Sequence, residues 1–226
     1  MSVEIVNLYG DPNIGLFMVA TDSYVIVSDG ITEKFRKLLA RILKVDVITV
    51  SSDTKLLGAL ISANDNGLVA SHIIQDTTLE EIKKQLPDLN IGKIRTGYFA
   101  MGNLMVTNND KTLISPIVNT TERKMVGDIL GTEITTLRLA ESDLIGSLLK
   151  ITKLGGVISP IVENSPSGES EMEYIEDLLK VTIEPTTVNR GSQFPAGGII
   201  ANSQGVLIGN LTTGLETIAI TKGLFP

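Results

Sequence analysis

The side chains that most often do covalent or acid–base chemistry are scarce in this 226-residue chain, which has no cysteine and a single histidine, His72. Without thiols there is no disulfide, zinc–thiolate or iron–sulfur site and no thiol nucleophile. With one imidazole, a multi-histidine metal centre is out, and any imidazole acid–base scheme depends on that one position. His72 ends the run LVASH, a place where histidine is ordinarily a surface or loosely packed residue. No GxSxG elbow accompanies it, and neither GxGxxG nor GxxxxGK[ST] occurs, so neither a serine nucleophile nor a phosphate cradle is signalled. The acidic stretch ENSPSGESEMEYIED at 163–177 reads as a solvated loop and helix start rather than a metal site. These residues point to binding rather than turnover, with neither metal nor cofactor.

The chain carries 19 Lys and Arg against 26 Asp and Glu, a net charge of −7. Such a surface repels phosphate-rich partners and anionic membranes and suits a basic protein. The apolar runs, LLGALI at 56–61 among them, fall far short of the ~18 residues that a membrane-spanning helix takes. The opening segment includes Glu4 and Asp11 and lacks the apolar core of a leader, so a cytoplasmic location is expected.

The elements that must position any binding residues form a repeat. Alternating apolar strands are expected at 3–8, 45–50, 91–96, 133–138 and 181–186. After each comes a glycine leading into a second strand: Gly15, Gly58, Gly102, Gly146 and Gly197. A polar turn and a third strand follow, as in TDS before YVIV, NDNG before LVAS and NSQG before VLIGN, and such turn residues mark hairpins. The third strands start at Tyr24, Leu68, Thr112, Val157 and Val206, spacings of 44, 44, 45 and 49. Helix signals come next at 31–43, 78–86, 121–130, 170–179 and 213–221. Thr78 with Glu81, Ser170 with Glu173, and Thr213 with Glu216 read as capping boxes. The recurring glycines are expected to let neighbouring backbones approach near a common axis.

Five units, approximately 1–43, 44–88, 89–131, 132–180 and 181–226, account for the chain as one domain. The last helix has no strand after it, and the strand at 3–8 has no helix before it. The N-terminal strand is therefore expected to complete the last unit and close a ring, which removes exposed sheet edges. An open solenoid is the alternative; solenoids usually carry distinct capping repeats, and these five units look alike.

The strings NIG at 13–15, NDNGLV at 64–69, GN at 102–103 with NND at 108–110, GGVISP at 155–160, TVNRGS at 187–192, AGGIIAN at 196–202 and TTG at 212–214 span the chain. Together they resemble the translation initiation factor 6 family of archaea and eukaryotes. The resemblance implies a pentein, an α/β fold of five pseudosymmetric ββαβ units closed into a ring, also described as a β/α propeller. It implies a monomer that binds the large ribosomal subunit, blocks its association with the small subunit and serves large-subunit maturation. The contacts would be mainly with a basic ribosomal protein, with Arg190 supplying a local rRNA phosphate contact. Catalytic penteins use a cysteine nucleophile, which is missing here, so no catalytic residue is expected. Carried over by motif, the ribosome-binding residues would be Asn13, Gly15, Gly58, Ala59, Gly102, Asn103, Gly146, Ser147 and Arg190 through Phe194. Ala59 and Leu148 stand where eukaryotic members have an arginine and a tyrosine. A non-ribosomal protein-binding scaffold, and an enzyme using the ring axis, are the alternatives.

Overall fold

Continuous apolar runs flanked by turn residues become the buried middle strands of sheets, and in the computed structural model, which describes residues 2–226, they organise everything else. The strands are β1 (Ser2–Val6), β2 (Met18–Ala20), β3 (Tyr24–Ser28), β4 (Asp46–Val50), β5 (Ile61–Ala63), β6 (Gly67–Ser71), β7 (Asn90–Ile94) and β8 (Met105–Thr107). They continue with β9 (Lys111–Ile114), β10 (Glu133–Thr136), β11 (Leu149–Ile151), β12 (Gly155–Ile158), β13 (Thr182–Pro185), β14 (Ile199–Ala201) and β15 (Gly205–Gly209). The long helices are α1 (Glu33–Leu43), α2 (Asp76–Gln85), α3 (Thr120–Leu130), α4 (Gly168–Leu179) and α5 (Gly214–Leu224).

The strands pair as five three-stranded sheets: β2-β3-β4, β5-β6-β7, β8-β9-β10, β11-β12-β13 and β14-β15-β1. In each, a hairpin is followed by a helix, and a third strand then adds parallel to the hairpin's second strand. The last sheet takes its third strand from the start of the chain, with Val3 opposite Val206 and Ile5 opposite Ile208. The ring expected from the spare strand is therefore closed. Around its inside, β2 touches β5, β5 touches β8, β8 touches β11, and β14 touches β2.

Each second strand is preceded by a short helical turn: Ile14–Leu16, Leu57–Leu60, Met101–Leu104, Ile145–Leu148 and Pro195–Gly198. The recurring glycines sit in these turns and press on one another. A Cβ on Gly58 would stand 2.0 Å from the Gly15 carbonyl oxygen, and one on Gly102 would stand 2.1 Å from that of Gly58. The same holds for Gly146 against Gly102, at 2.0 Å, and for Gly15 against Ala196, at 2.1 Å. Gly197 is not the fifth member. Ala196 is the second residue of its turn, as the glycines are of theirs, and a Cβ on Gly197 would meet only Asn13 Oδ1 at 3.9 Å. A methyl group thus stands at the joint between the fourth and fifth units, and there β11 and β14 pack less closely than the other neighbouring second strands.

Two other expectations need correction. The strands expected through residues 8, 96, 138 and 186 end earlier, because the chain leaves the sheet to form loops; Leu8, for example, bridges to Asp11 within its own turn. Of the three capping boxes only Thr213 with Glu216 forms. Helix α2 begins at Asp76 and α4 at Gly168, which puts Thr78 and Ser170 inside the helices rather than at their caps. Asn119 with Glu122 makes a box at the start of α3.

Candidate docking face

Because every second strand runs from a helical turn to a hairpin turn, the ring has two rims. The helical-turn rim carries five loops, at 7–13, 51–56, 95–100, 137–144 and 186–194. Each loop leaves a large apolar side chain in solvent: Tyr9, Leu56, Tyr98 with Phe99, Leu144 and Phe194, between 39% and 52% exposed. Apolar groups gathered on one face mark an interaction surface. The charges of these loops balance, Lys55, Arg95, Arg138 and Arg190 against Asp11, Asp53, Glu141 and Asp143, so the net −7 resides on the rest of the molecule. Arg138 pairs with Asp143 at 2.9 Å, and Lys55 Nζ lies 4.0 Å above the Tyr9 ring. Among the described residues, Arg95 and Arg190 make no ion pair.

Three of the loops are tight turns whose tips need a left-handed backbone: Tyr9 (φ 57°), Ala140 and Glu141 (48° and 61°), and Asn189 and Arg190 (53° and 64°). Such a conformation costs a side-chain-bearing residue roughly 1–2 kcal/mol, so something must hold it. Acids on the helices do this for two of them, and a further acid fastens the loop at 51–56. The N–H groups of Gly191 and Arg190 donate to the Glu216 carboxylate at 2.8 and 3.2 Å, and that of Ala140 donates to Glu171 at 2.8 Å. The Ser51 N–H donates to Glu81 at 2.8 Å while the Thr78 hydroxyl donates to the Ser51 carbonyl at 2.8 Å. The pair expected to cap α2 therefore anchors a loop instead. Burial alone would raise the Glu216 carboxyl, but hydrogen bonds from Thr213, Thr187 and Gly191 outweigh it and hold the group down at about 2. The Asn189 amide donates to the Pro12 carbonyl at 3.0 Å, joining the rim of the last unit to that of the first.

On the axis a cavity of about 470 Å³ opens through this rim. The eIF-6 family pattern matches residues 3–223. The chain belongs to the eIF-6 family. It is 34% identical to Translation initiation factor 6 of Pyrococcus abyssi and 33% identical to that of Pyrococcus horikoshii, in each case over 99% of both chains. Translation initiation factor 6 of Staphylothermus marinus is 32% identical over 99% of this chain and 98% of its own. Among solved structures, DDAH from Pseudomonas aeruginosa is 8% identical with a TM-score of 0.45 over 76% of this chain and 67% of that one, too distant a likeness to inform the site. The family makes this chain a translation initiation factor. Among the described residues, no helix is long and apolar enough to cross a membrane.

The residues carried over from the family mostly converge. Asn13, Gly15, Gly58, Gly102, Asn103, Gly146, Ser147 and Phe194 all line the axial cavity. Ala59 lies on a helical turn but does not line the cavity, and Arg190 stands exposed at a loop tip beside it. Leu148 is buried, so it adds nothing to the face. Tyr9, Leu56, Tyr98, Phe99 and Leu144 belong to the rim but were not among the carried-over residues. A signal for two of them existed: Leu56 and Leu144 stand just before a helical turn, as Phe194 does. His72 supports the rim by packing, its ring centroid 5.3 Å from that of Phe99 in the loop at 95–100, and its Nδ1 has no hydrogen-bond partner.

Proposed function

We propose that this protein docks through its helical-turn rim on the large ribosomal subunit and thereby excludes the small subunit. The observation that supports this most is that every unit of the ring delivers an apolar anchor to one charge-balanced rim, while the acidic charge lies elsewhere. Interface cores are apolar and aromatic with charges depleted at the centre, and a few aromatic side chains carry most of the binding energy. The acidic body keeps the rest of the molecule away from rRNA and favours a basic ribosomal protein as the main contact. Arg95 and Arg190, which make no ion pair among the described residues, would take rRNA phosphates. Exclusion is steric: a rigid ring on the joining face of one subunit occupies volume the other needs. It requires only a Kd below the working concentration. The same occupancy on maturing large subunits would keep them from joining early, which gives the protein its part in biogenesis. It acts as a cytoplasmic monomer.

Phe194→Asp places a charge at the centre of the rim and is expected to weaken binding by about 30-fold, the equivalent of about 2 kcal/mol. Asn103→Arg crowds the cavity mouth and weakens binding in the same direction. Co-sedimentation with purified large subunits measures both, and unchanged binding of the two folded variants would refute the assignment of the face.

A further inference from the structure

Docking by the rim makes no use of the interior of the axial cavity. Four of the five second strands form its wall, their middle residues Val19, Ser62, Val106 and Lys150 lining it. Lys150 is the one charged residue in that lining; no aspartate or glutamate faces it. Among the described residues its ammonium makes no ion pair, although nine other pairs form across the molecule. Ser62, a residue 7% exposed, lines the same wall. Burial pushes the Lys150 ammonium down to about 8.

A partly buried cation beside largely apolar walls carries a desolvation cost, and no ion pair among the described residues offsets it. The chamber has the size and make-up of a small-molecule site, apolar walls with a few polar groups that fix orientation. Lys150 lies on β11, which packs less closely on its neighbour β14 than the other second strands do on theirs.

We propose that the axial cavity binds a small organic carboxylate with an apolar body, its carboxylate paired with Lys150 Nζ and its hydrocarbon against Val19, Val106 and Ala63. The Ser62 hydroxyl is a second polar contact. A phosphate fits this chamber less well, because a single ammonium leaves its second charge unmatched. The site is independent of ribosome docking, although an occupant would lie beneath the same rim.

The test uses the full chain, ¹⁵N-labelled at pH 7, titrated with octanoate and, as controls with the same body, octylamine and 1-octanol. Octanoate is expected to shift the amides of Ser62, Val106 and Lys150 saturably, with octanol at least tenfold weaker and octylamine without effect. Lys150→Met is expected to weaken octanoate binding at least tenfold and Lys150→Arg to retain it, with spectra of both variants establishing that they fold. The proposal is overturned by the absence of saturable shifts at those amides, by equal binding of octanoate and octanol, or by full retention of binding in Lys150→Met. Tighter binding of inorganic phosphate than of octanoate would overturn it as well.

Discussion

Glu216 fastens the loop that carries Arg190 and Phe194, and its titration makes that fastening measurable. Its carboxyl is held at about 2 against an ordinary 4.5, so the stability it contributes is whole above about pH 4.5 and drains away as pH falls from there toward 2. Glu216→Gln is expected to be less stable by about 2–3 kcal/mol at pH 7, with the difference closing near pH 2 in urea titrations at each pH. Lys150 runs the other way. Its folded form releases the proton near 8 and its unfolded form near 10.5, so stability rises with pH across that interval. Lys150→Met should therefore melt higher than the natural chain at pH 7, and the advantage should shrink between pH 8 and 10.5. Gly15 stands out in the sequence because its place recurs in the repeat, whereas Asn103 and Phe194, which share the cavity lining with it, rest on the family resemblance. Lys150 does not stand out, since a lysine within SLLKI reads as the wet face of a short strand until ring closure turns that face inward.

The helical turns and the hairpins stitch the units together at opposite rims. At the hairpin rim, the Asn202 side chain donates to the carbonyls of Thr21 and Leu43 at 3.0 and 2.8 Å, and Asn64 does the same toward Asn108 and Leu130 at 2.9 and 3.0 Å. At the other rim the helical turns meet backbone against backbone. Gly102→Ala would drive a methyl group into the Gly58 carbonyl, with an expected loss of about 1–3 kcal/mol in denaturant midpoint analysis. Ala196→Gly, at the joint that already accommodates a methyl group, should change stability by no more than about 1 kcal/mol. Equal effects at the two positions would contradict the uneven joints. Strand positions were readable from alternation, but two caps were not. Thr78 and Glu81 have the spacing of a box, yet Ser51, which is remote in sequence, competes for both side chains and wins them. Conversely, Asn119 caps α3 as well as a hydroxyl residue would, because its side-chain oxygen accepts from Glu122 N–H at 2.9 Å.

For the molecule as a whole, closure by β1 gives the last sheet its third strand and turns five similar units into a rigid plate, although each sheet keeps its second strand as an edge on the axis. That closure was legible from a strand without a helix before it and a helix without a strand after it. The axial cavity was not, because it arises only where five units face one another, and the rim's apolar anchors lie in loops whose convergence depends on the same closure. Occlusion by this plate is the central claim, and sedimentation of purified large and small subunits through a gradient under joining conditions tests it most directly. With saturating protein, the account predicts that subunits stay apart and that Phe194→Asp at the same concentration lets them join. A joined fraction unaffected by the natural chain would contradict it.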